Sequence, residues 1–272
     1  MINLRTKYGN LALVAGASEG IGAAFSEYLA TEGIDLILIA RRSEPLEKLS
    51  ERLKSEYKIN VETFCCDLSE TDSYAKILGF LGKRAIDIFI YNAALSYIGK
   101  FERNTIENHE KLLIANIVTP TKLIQHFGTK MLEKGSGALI LMSSLAGYQG
   151  SGFLSAYASS KAYSRILAQS LWYEWKERGV HVLGCCAGAT ASPNYLNTKP
   201  EKTGFFVPKV QLPADVVKES FNALGIVPSI ITGKGNRLAG FFMHRVFPVK
   251  TAINIMGKNT RKMYSKFINM PG

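Results

Sequence analysis

Acidic residues are scarce in this chain, and its last stretch has none. Lys and Arg number 33 against 22 Asp and Glu, a formal net charge of +11. From Arg237 to Gly272 the basic residues Arg237, Arg245, Lys250, Lys258, Arg261, Lys262 and Lys266 stand without one Asp or Glu. Nucleic acid is the partner such an excess first suggests, but no reader motif is present and the aromatics are not interleaved as a stacking platform, so none is expected. Cysteine is also rare. The four form two adjacent pairs, Cys65-Cys66 and Cys185-Cys186, each inside an apolar strand-like segment. That spacing suits neither a zinc knuckle nor a disulfide framework, and all four are read as reduced core residues. Long apolar runs are missing too. Met1 to Asn10 is polar and a strand follows, so neither a leader nor a spanning helix is expected, and a soluble cytoplasmic protein is. His109 and His126 have no carboxylate or cysteine placed beside them by any motif; they read as surface or packing residues, and no metal site is expected.

What is present is an α/β pattern. With 272 residues, 47% hydrophobic and 20% charged, the chain can build one substantial core and hardly two. Residues 1–235 read as one domain and 236–272 as a basic amphipathic extension. Leu11 to Val14 is a short apolar run, followed by Ala15-Gly16-Ala17-Ser18-Glu19-Gly20-Ile21-Gly22 and a helix-period segment to Glu32. Glycines in such a turn let backbone amides approach a pyrophosphate, which the helix dipole then favours. A second strand, Ile34 to Ala40, ends in Arg41-Arg42. In a dinucleotide-binding sheet that strand end meets the adenosine ribose, where a carboxylate suits free hydroxyls and a guanidinium suits a 2′-phosphate. The arginines, Arg41 above all, therefore favour NADP(H). Asp67-Leu68 ends a third strand, Asn60 to Cys66; its carboxylate either accepts from an adenine amino group or caps the helix beginning near Ser69. Asn92-Ala93-Ala94 ends the fourth, Ile86 to Tyr91. Small residues there admit a ribose, and Asn92 can tie strands together.

The chemistry-bearing stretch runs from Ser144 to Lys161. If Tyr157 opens a helix, Lys161 lies one turn further along the same face. A phenol titrates near ~10, and a neighbouring ammonium is expected to lower that value and fit Tyr157 for proton exchange. On its own the Tyr-x-x-x-Lys pattern is equally an exposed tyrosine beside a solvated lysine. A helix over Asn108 to Gly128 carries Asn116 in an apolar context, where it must bond to backbone or bend the helix around a water.

Taken together, the glycine segment at 15–22, Asn92-Ala93-Ala94, and Ser144 thirteen residues ahead of Tyr157-Ala158-Ser159-Ser160-Lys161 resemble the ordered signature of the short-chain dehydrogenase/reductase family. The resemblance spans roughly residues 10 to 235. It implies a Rossmann-type doubly wound parallel sheet of about seven strands with helices on both faces. It also implies NADP(H) held by Gly16, Ser18, Gly20, Ile21, Gly22, Arg41, Asp67, Leu68, Asn92, Ala93, Tyr157, Lys161 and Thr190. Asn116, Ser144, Tyr157 and Lys161 are implied as the catalytic group. Ser144 would bond the substrate carbonyl, Tyr157 move the proton, Lys161 hold the ribose, and Asn116 complete a relay; Thr190 would reach the nicotinamide carboxamide. Departures are Ala15 where Thr is usual, Ala94 where Gly is usual and Ala187 where Pro is usual, while Glu19 occupies a place often basic in NADP-preferring members. A homodimer or homotetramer is implied as well, with Trp172 and Trp175 either in the core or at a subunit contact.

Ala191 to Leu212 has three prolines, the aromatics Phe205-Phe206 and no clear periodicity, and reads as a substrate lid. In the extension, Leu238, Phe241, Phe242 and Val246 form one apolar stripe and Ile253, Met256 and Met263 another. Such a basic amphipathic pair can lie on an anionic membrane, dock an acidic carrier protein, meet a thioester carrier's phosphates, or cover the protein's own sheet or a neighbouring subunit. The expected activity is carbonyl–alcohol interconversion by hydride transfer, on a lipophilic ketone or 3-oxoacyl substrate. The other classes weighed are a nucleotide sensor without catalysis, which has no need to keep Ser144, Tyr157 and Lys161 together, and a sugar-nucleotide epimerase or dehydratase, which needs a larger C-terminal domain.

Overall fold

The uninterrupted apolar runs of the sequence become strands buried on both faces, as a parallel sheet between two helical layers requires. The structure, a computed structural model, describes residues 3–201 and 210–268. Seven strands, β1 (Leu11–Ala15), β2 (Asp35–Ala40), β3 (Val61–Cys65), β4 (Ile88–Tyr91), β5 (Gly137–Ser144), β6 (Val180–Ala187) and β7 (Ser229–Ile231), form one sheet in the order β3-β2-β1-β4-β5-β6-β7. Every pairing is parallel. Strand order reverses between β1 and β4, and the carboxyl ends on either side of that point are where a doubly wound sheet binds ligands.

Alternate strand residues feed two cores. Val14, Leu38, Ile90 and Ile140 pack on one face against α2 (Gly20–Thr31), α3 (Ser43–Tyr57) and α9 (Pro213–Ala223). Leu13, Ile39, Phe89 and Leu141 face the other side with α4 (Ser73–Leu81), α6 (Thr119–Lys134) and α7 (Ser155–Trp175). Trp175 belongs to this second core and is seated against Gly128, where no side chain has room. Lys176 lies over the Trp172 ring, 5.0 Å from its centroid.

Several local expectations change. A short helix, α1 (Leu4–Tyr8), precedes β1; its polar composition hides it, yet the Asn3 carboxamide accepts from the Thr6 amide and Leu4 and Tyr8 are buried. The helix expected over 108–128 is two helices, α5 (Ile106–Leu113) and α6, joined by a π-helical turn over Ile114–Val118 that contains Asn116. Cys65 is exposed, whereas the other three cysteines are buried. It lies on the edge strand β3, whose outward positions face solvent, so adjacency to Cys66 does not place it in the core. Within the expected lid, Pro193–Asn197 is a short helix, α8, and Thr190 forms a parallel bridge with Gln211. Phe205, Phe206 and Pro208 lie outside the described residues.

The extension comprises α10 (Lys234–Phe241), a π-helical turn (Phe242–Val246), α11 (Val249–Met263) and α12 (Ser265–Ile268). It lies across the loop after β5. His244 meets Tyr148 with ring centroids 4.3 Å apart, Ile253 closes on Gly150, Gly257 on Gly152, and the Arg261 guanidinium lies 5.2 Å from the Phe153 ring centroid. Among the described residues no helix is long and apolar enough to cross a membrane.

Candidate active site

The turn between β1 and α2 is built around atoms that leave no room for side chains. A Cβ on Gly16 would sit 2.6 Å from the Ala93 amide nitrogen, one on Gly20 would lie 2.7 Å from the Ser192 Cβ, and one on Gly22 would overlap the Gly16 carbonyl. Gly16 and Gly20 also have positive φ, +81° and +58°, where glycine is favoured. Asn92 Nδ2 donates to the Gly16 carbonyl at 2.8 Å, clamping the turn to the end of β4. Ser18 and Ile21 are half-buried on this turn. At the helix start, Glu19 makes no side-chain capping bond. The result is a shallow backbone-lined cradle at the N-terminus of a twelve-residue helix, a fit for a pyrophosphate.

At the ends of β2 and β3 the charges sort themselves into two pairs. Arg42 is held by Glu19 at 2.6 Å, whereas Arg41 is mostly exposed and only 3.9 Å from the Asp67 carboxylate. Asp67 Oδ1 accepts from the Ser69 amide at 2.9 Å and its hydroxyl at 2.7 Å. Burial raises the Asp67 carboxyl, but these bonds and Arg41 outweigh it and hold it below its usual value. The Asp67 carboxylate thus closes the turn after β3, but α4 begins only at Ser73. Leu68 is buried in the core, and its carbonyl accepts from Thr119 Oγ1 at 3.0 Å.

Tyr157 and Lys161 stand one turn apart on α7, as the spacing requires. The Tyr157 phenol faces the Ser144 hydroxyl at the end of β5, whose hydrogen-bonding influence favours the ionised phenol. Lys161 is buried; its Nζ donates to the Met142 carbonyl at 2.9 Å and lies 5.7 Å from the Tyr157 ring centroid. Ser143 Oγ donates to the Lys161 carbonyl at 2.7 Å, so the two adjacent serines divide between scaffold and site.

The charge state differs from the sequence-based expectation of a lowered phenol. Burial pushes the Tyr157 phenol up from its ordinary value, with the Ser144 hydroxyl pulling the other way and a charge on Tyr264 adding to the rise. Lys161 is itself desolvated, and burial brings its amine down to about 8. Its Nζ donates to a main-chain carbonyl, and among the described residues no hydrogen bond joins it to the phenol oxygen.

Asn116 makes three bonds. Its Oδ1 accepts from the Leu95 amide at 2.8 Å, and its Nδ2 donates to the Leu95 carbonyl and to Ser160 Oγ, both at 2.9 Å. Ser160 Oγ in turn donates to the Tyr157 carbonyl at 2.8 Å. Asn116 therefore reaches the Tyr157–Lys161 turn through Ser160 and backbone, from a π-helical turn of the kind that recurs at functional sites. Thr190, buried beyond the end of β6, donates to the Gly188 carbonyl at 3.1 Å. Gly16 to Gly22, Arg41, Asp67, Leu68, Asn92, Ala93, Ser144 and Thr190 thus end or follow strands at their carboxyl ends.

Sequence reading did not single out Tyr264 or Gly147. Tyr264, between α11 and α12, lies near Tyr157 and near Thr198, whose hydroxyl offsets part of the rise that burial causes in its phenol. The Glu201 amide donates to the Met263 carbonyl at 3.0 Å, and Ser265 Oγ donates to the Glu201 carboxylate at 3.0 Å. No periodicity reports that residue 264 returns over residue 157. A Cβ on Gly147 would lie 2.6 Å from the Ala162 amide, so this glycine lets the loop after β5 press on α7 beside Lys161.

The short chain dehydrogenase family model matches residues 10–203, most of the chain. This chain belongs to the short-chain dehydrogenase/reductase family. It is an oxidoreductase of a family that uses NAD(P). A 7beta-hydroxysteroid dehydrogenase of Clostridium sardiniense is 33% identical over 87% of this chain and 90% of its own length. A very-long-chain 3-oxoacyl-CoA reductase-B of Danio rerio is 26% identical over 95% of this chain and 83% of its own. Among solved structures, a 7beta-hydroxysteroid dehydrogenase superposes with a TM-score of 0.88 at 27% identity, over 94% of this chain and 99% of that one. A short-chain dehydrogenase from Sphingobium yanoikuyae in complex with NADPH superposes with a TM-score of 0.73 at 28% identity, covering 82% and 87%. Like these short-chain dehydrogenases/reductases, the chain folds as a seven-stranded Rossmann-type sheet.

Proposed function

We propose that this short-chain dehydrogenase/reductase is an NADP(H)-dependent reductase of lipophilic ketones. The observation that carries the reading is the Tyr157 phenol facing Ser144, one helical turn from buried Lys161 and on the same sheet edge as the glycine cradle. Gly16, Ser18, Gly20, Ile21 and Gly22 would hold the dinucleotide's pyrophosphate. Asp67 and Leu68 would flank the adenine, Asn92 and Ala93 the ribose, and Thr190 the carboxamide. Arg41 is available for a 2′-phosphate because its one ion pair among the described residues is long. Glu19, the departure that argues against NADP(H), is neutralised by Arg42. When bound, the nicotinamide supplies or accepts the hydride.

The chain's own residues supply the rest. The Ser144 hydroxyl donates to the substrate oxygen and withdraws charge from the carbonyl. The Tyr157 phenol, kept protonated by its burial, gives its proton to the oxygen as that atom becomes an alkoxide. Lys161 holds the ribose and, as a cation, stabilises the phenolate that remains. Asn116 and Ser160 fix the helical turn that carries both groups. A raised phenol favours the protonated form, which is the form reduction needs.

A steroid-like or long-chain ketone is supported by the hydroxysteroid and 3-oxoacyl relatives and by the tail that roofs the site. A homodimer or homotetramer is supported by exposed apolar side chains on the packed helices α5 and α7 and the turn after α5, among them Leu113, Val118, Ile166 and Tyr173. The test is a carbonyl panel of ketosteroids, 3-oxoacyl thioesters and small aromatic ketones, each assayed with NADPH and with NADH. Consumption of NADPH on a ketosteroid or long 3-oxoacyl substrate is expected; turnover of small ketones alone, or with NADH alone, overturns the reading.

A further inference from the structure

Helices on a protein surface normally turn large apolar residues inward and small or polar ones outward. The extension does the reverse. On α10 the buried residues are Asn236 and Gly240, and on α11 they are Ala252 and Thr260. The large apolar residues point out: Leu238 is 62% exposed, Phe241 56% and Val249 73%, with Phe242, Val246 and Ile253 also exposed. Residues 238, 241, 242 and 246 follow three- and four-residue steps and so share one face. Met243, Ile255, Met256 and Met263 are half-buried and help to seat these helices, but Leu238, Phe241, Phe242, Val246 and Val249 are left outside the contact.

Charge says what that is. Arg245, Lys250, Lys258, Arg261, Lys262 and Lys266 are exposed beside the apolar stripe. No acidic residue lies between Arg237 and Phe267 to neutralise them, and among the described residues only Arg237 of this group is tied to a carboxylate, that of Glu219. A second copy fits poorly, since a two-fold contact would set the same cations against one another. A purely acidic partner would leave the exposed phenylalanines without a purpose. An anionic lipid surface satisfies both features: the acyl boundary takes Leu238, Phe241, Phe242 and Val249, and the headgroups take the lysines.

We propose that α10 and α11 dock this protein on an anionic bilayer, lying in the plane of the interface without crossing it. Phe241, Phe242 and Val249 insert, and Lys250, Lys258 and Lys262 pair with headgroup phosphates. The proposal stands whether or not the ketone-reductase reading holds, because it uses none of the residues assigned to the cofactor or to catalysis.

The test is flotation of the full chain with phosphatidylcholine vesicles and with vesicles of phosphatidylcholine and phosphatidylglycerol. Two variants are compared with the parent, Phe241→Glu with Phe242→Glu and Lys250→Glu with Lys258→Glu and Lys262→Glu. Each is checked for folding by thermal melting and for assembly by light scattering. The parent should float with the anionic vesicles and much less with neutral ones, and each variant should bind at least about tenfold more weakly. Absence of flotation with anionic vesicles overturns the proposal. So does loss of binding in the lysine variant with none in the phenylalanine variant, which means a charge contact without insertion. So does a parent oligomer that the phenylalanine variant dissolves, which means that a second copy covers the face.

Discussion

Lys161 Nζ donates to the Met142 carbonyl at 2.9 Å, joining the last turn of β5 to the helix that presents Tyr157. The lysine is thus both a strut between strand and helix and a cation 5.7 Å from the centre of the phenol ring. Its burial, which brings the amine down to about 8, makes its charge sensitive to conditions near neutrality.

Affinity for NADP(H) should therefore depend on pH. Below about 8 the Lys161 amine is a cation able to hold a ribose; above it the amine is neutral. The dissociation constant for NADPH, followed by nucleotide fluorescence, should rise as pH climbs through about 8, and Lys161→Met should bind weakly with a flat profile. A parent profile identical to that of the variant would remove the lysine from the binding site.

Removing the phenol oxygen tests the proton donor. Tyr157→Phe should lower ketone reduction by about 10²–10⁴-fold or more, the range of general acid catalysis. NADPH binding by fluorescence titration should change little. Turnover at parental rates would mean that another group protonates the product.

Arg41→Ala tests the 2′-phosphate contact. A charge-assisted bond to a phosphate is worth about 1.5–3 kcal/mol, roughly ten- to more than a hundredfold in binding. NADPH affinity should fall by that factor and NADH affinity hardly at all. Equal losses for the two nucleotides would sink the assignment.

Two glycine substitutions should move stability in opposite directions. Gly147→Ala places a Cβ 2.6 Å from both the Ala162 amide nitrogen and the Lys161 carbonyl carbon, and overpacking against backbone costs about 1–3 kcal/mol. Gly79→Ala lies within α4 with no atom inside 4 Å and should stabilise by about 1 kcal/mol. Melting temperatures of the two variants on either side of the parent are the expected result.

The fold was legible because its signals are local. Apolar runs such as Ile34 to Ala40 have the length of buried strands, and Gly16, Gly20 and Gly22 stand where a backbone cradle needs them. The Tyr157–Lys161 spacing likewise encodes its own geometry. What sequence reading missed depends on distant atoms. The sign of the phenol's shift follows from burial and from a lysine turned toward Met142, neither of which spacing records. The break at Asn116 follows from Leu95, brought alongside by the chain after β4. Cys65 was misplaced because adjacency on a strand puts neighbours on opposite faces. Glu19, at a place often basic in NADP-preferring relatives, lies 2.6 Å from Arg42, 23 residues on in sequence, a pairing no local pattern records.

The bonds from Met263 and Ser265 to Glu201 have a mechanical corollary. Glu201 is tied to the chain's last helices, so if the segment after β6 opens and closes over a substrate, it cannot do so without dragging those helices along. Where hinge motion limits release of product, the rate of turnover would be set by how freely the outermost helices ride on whatever they rest against.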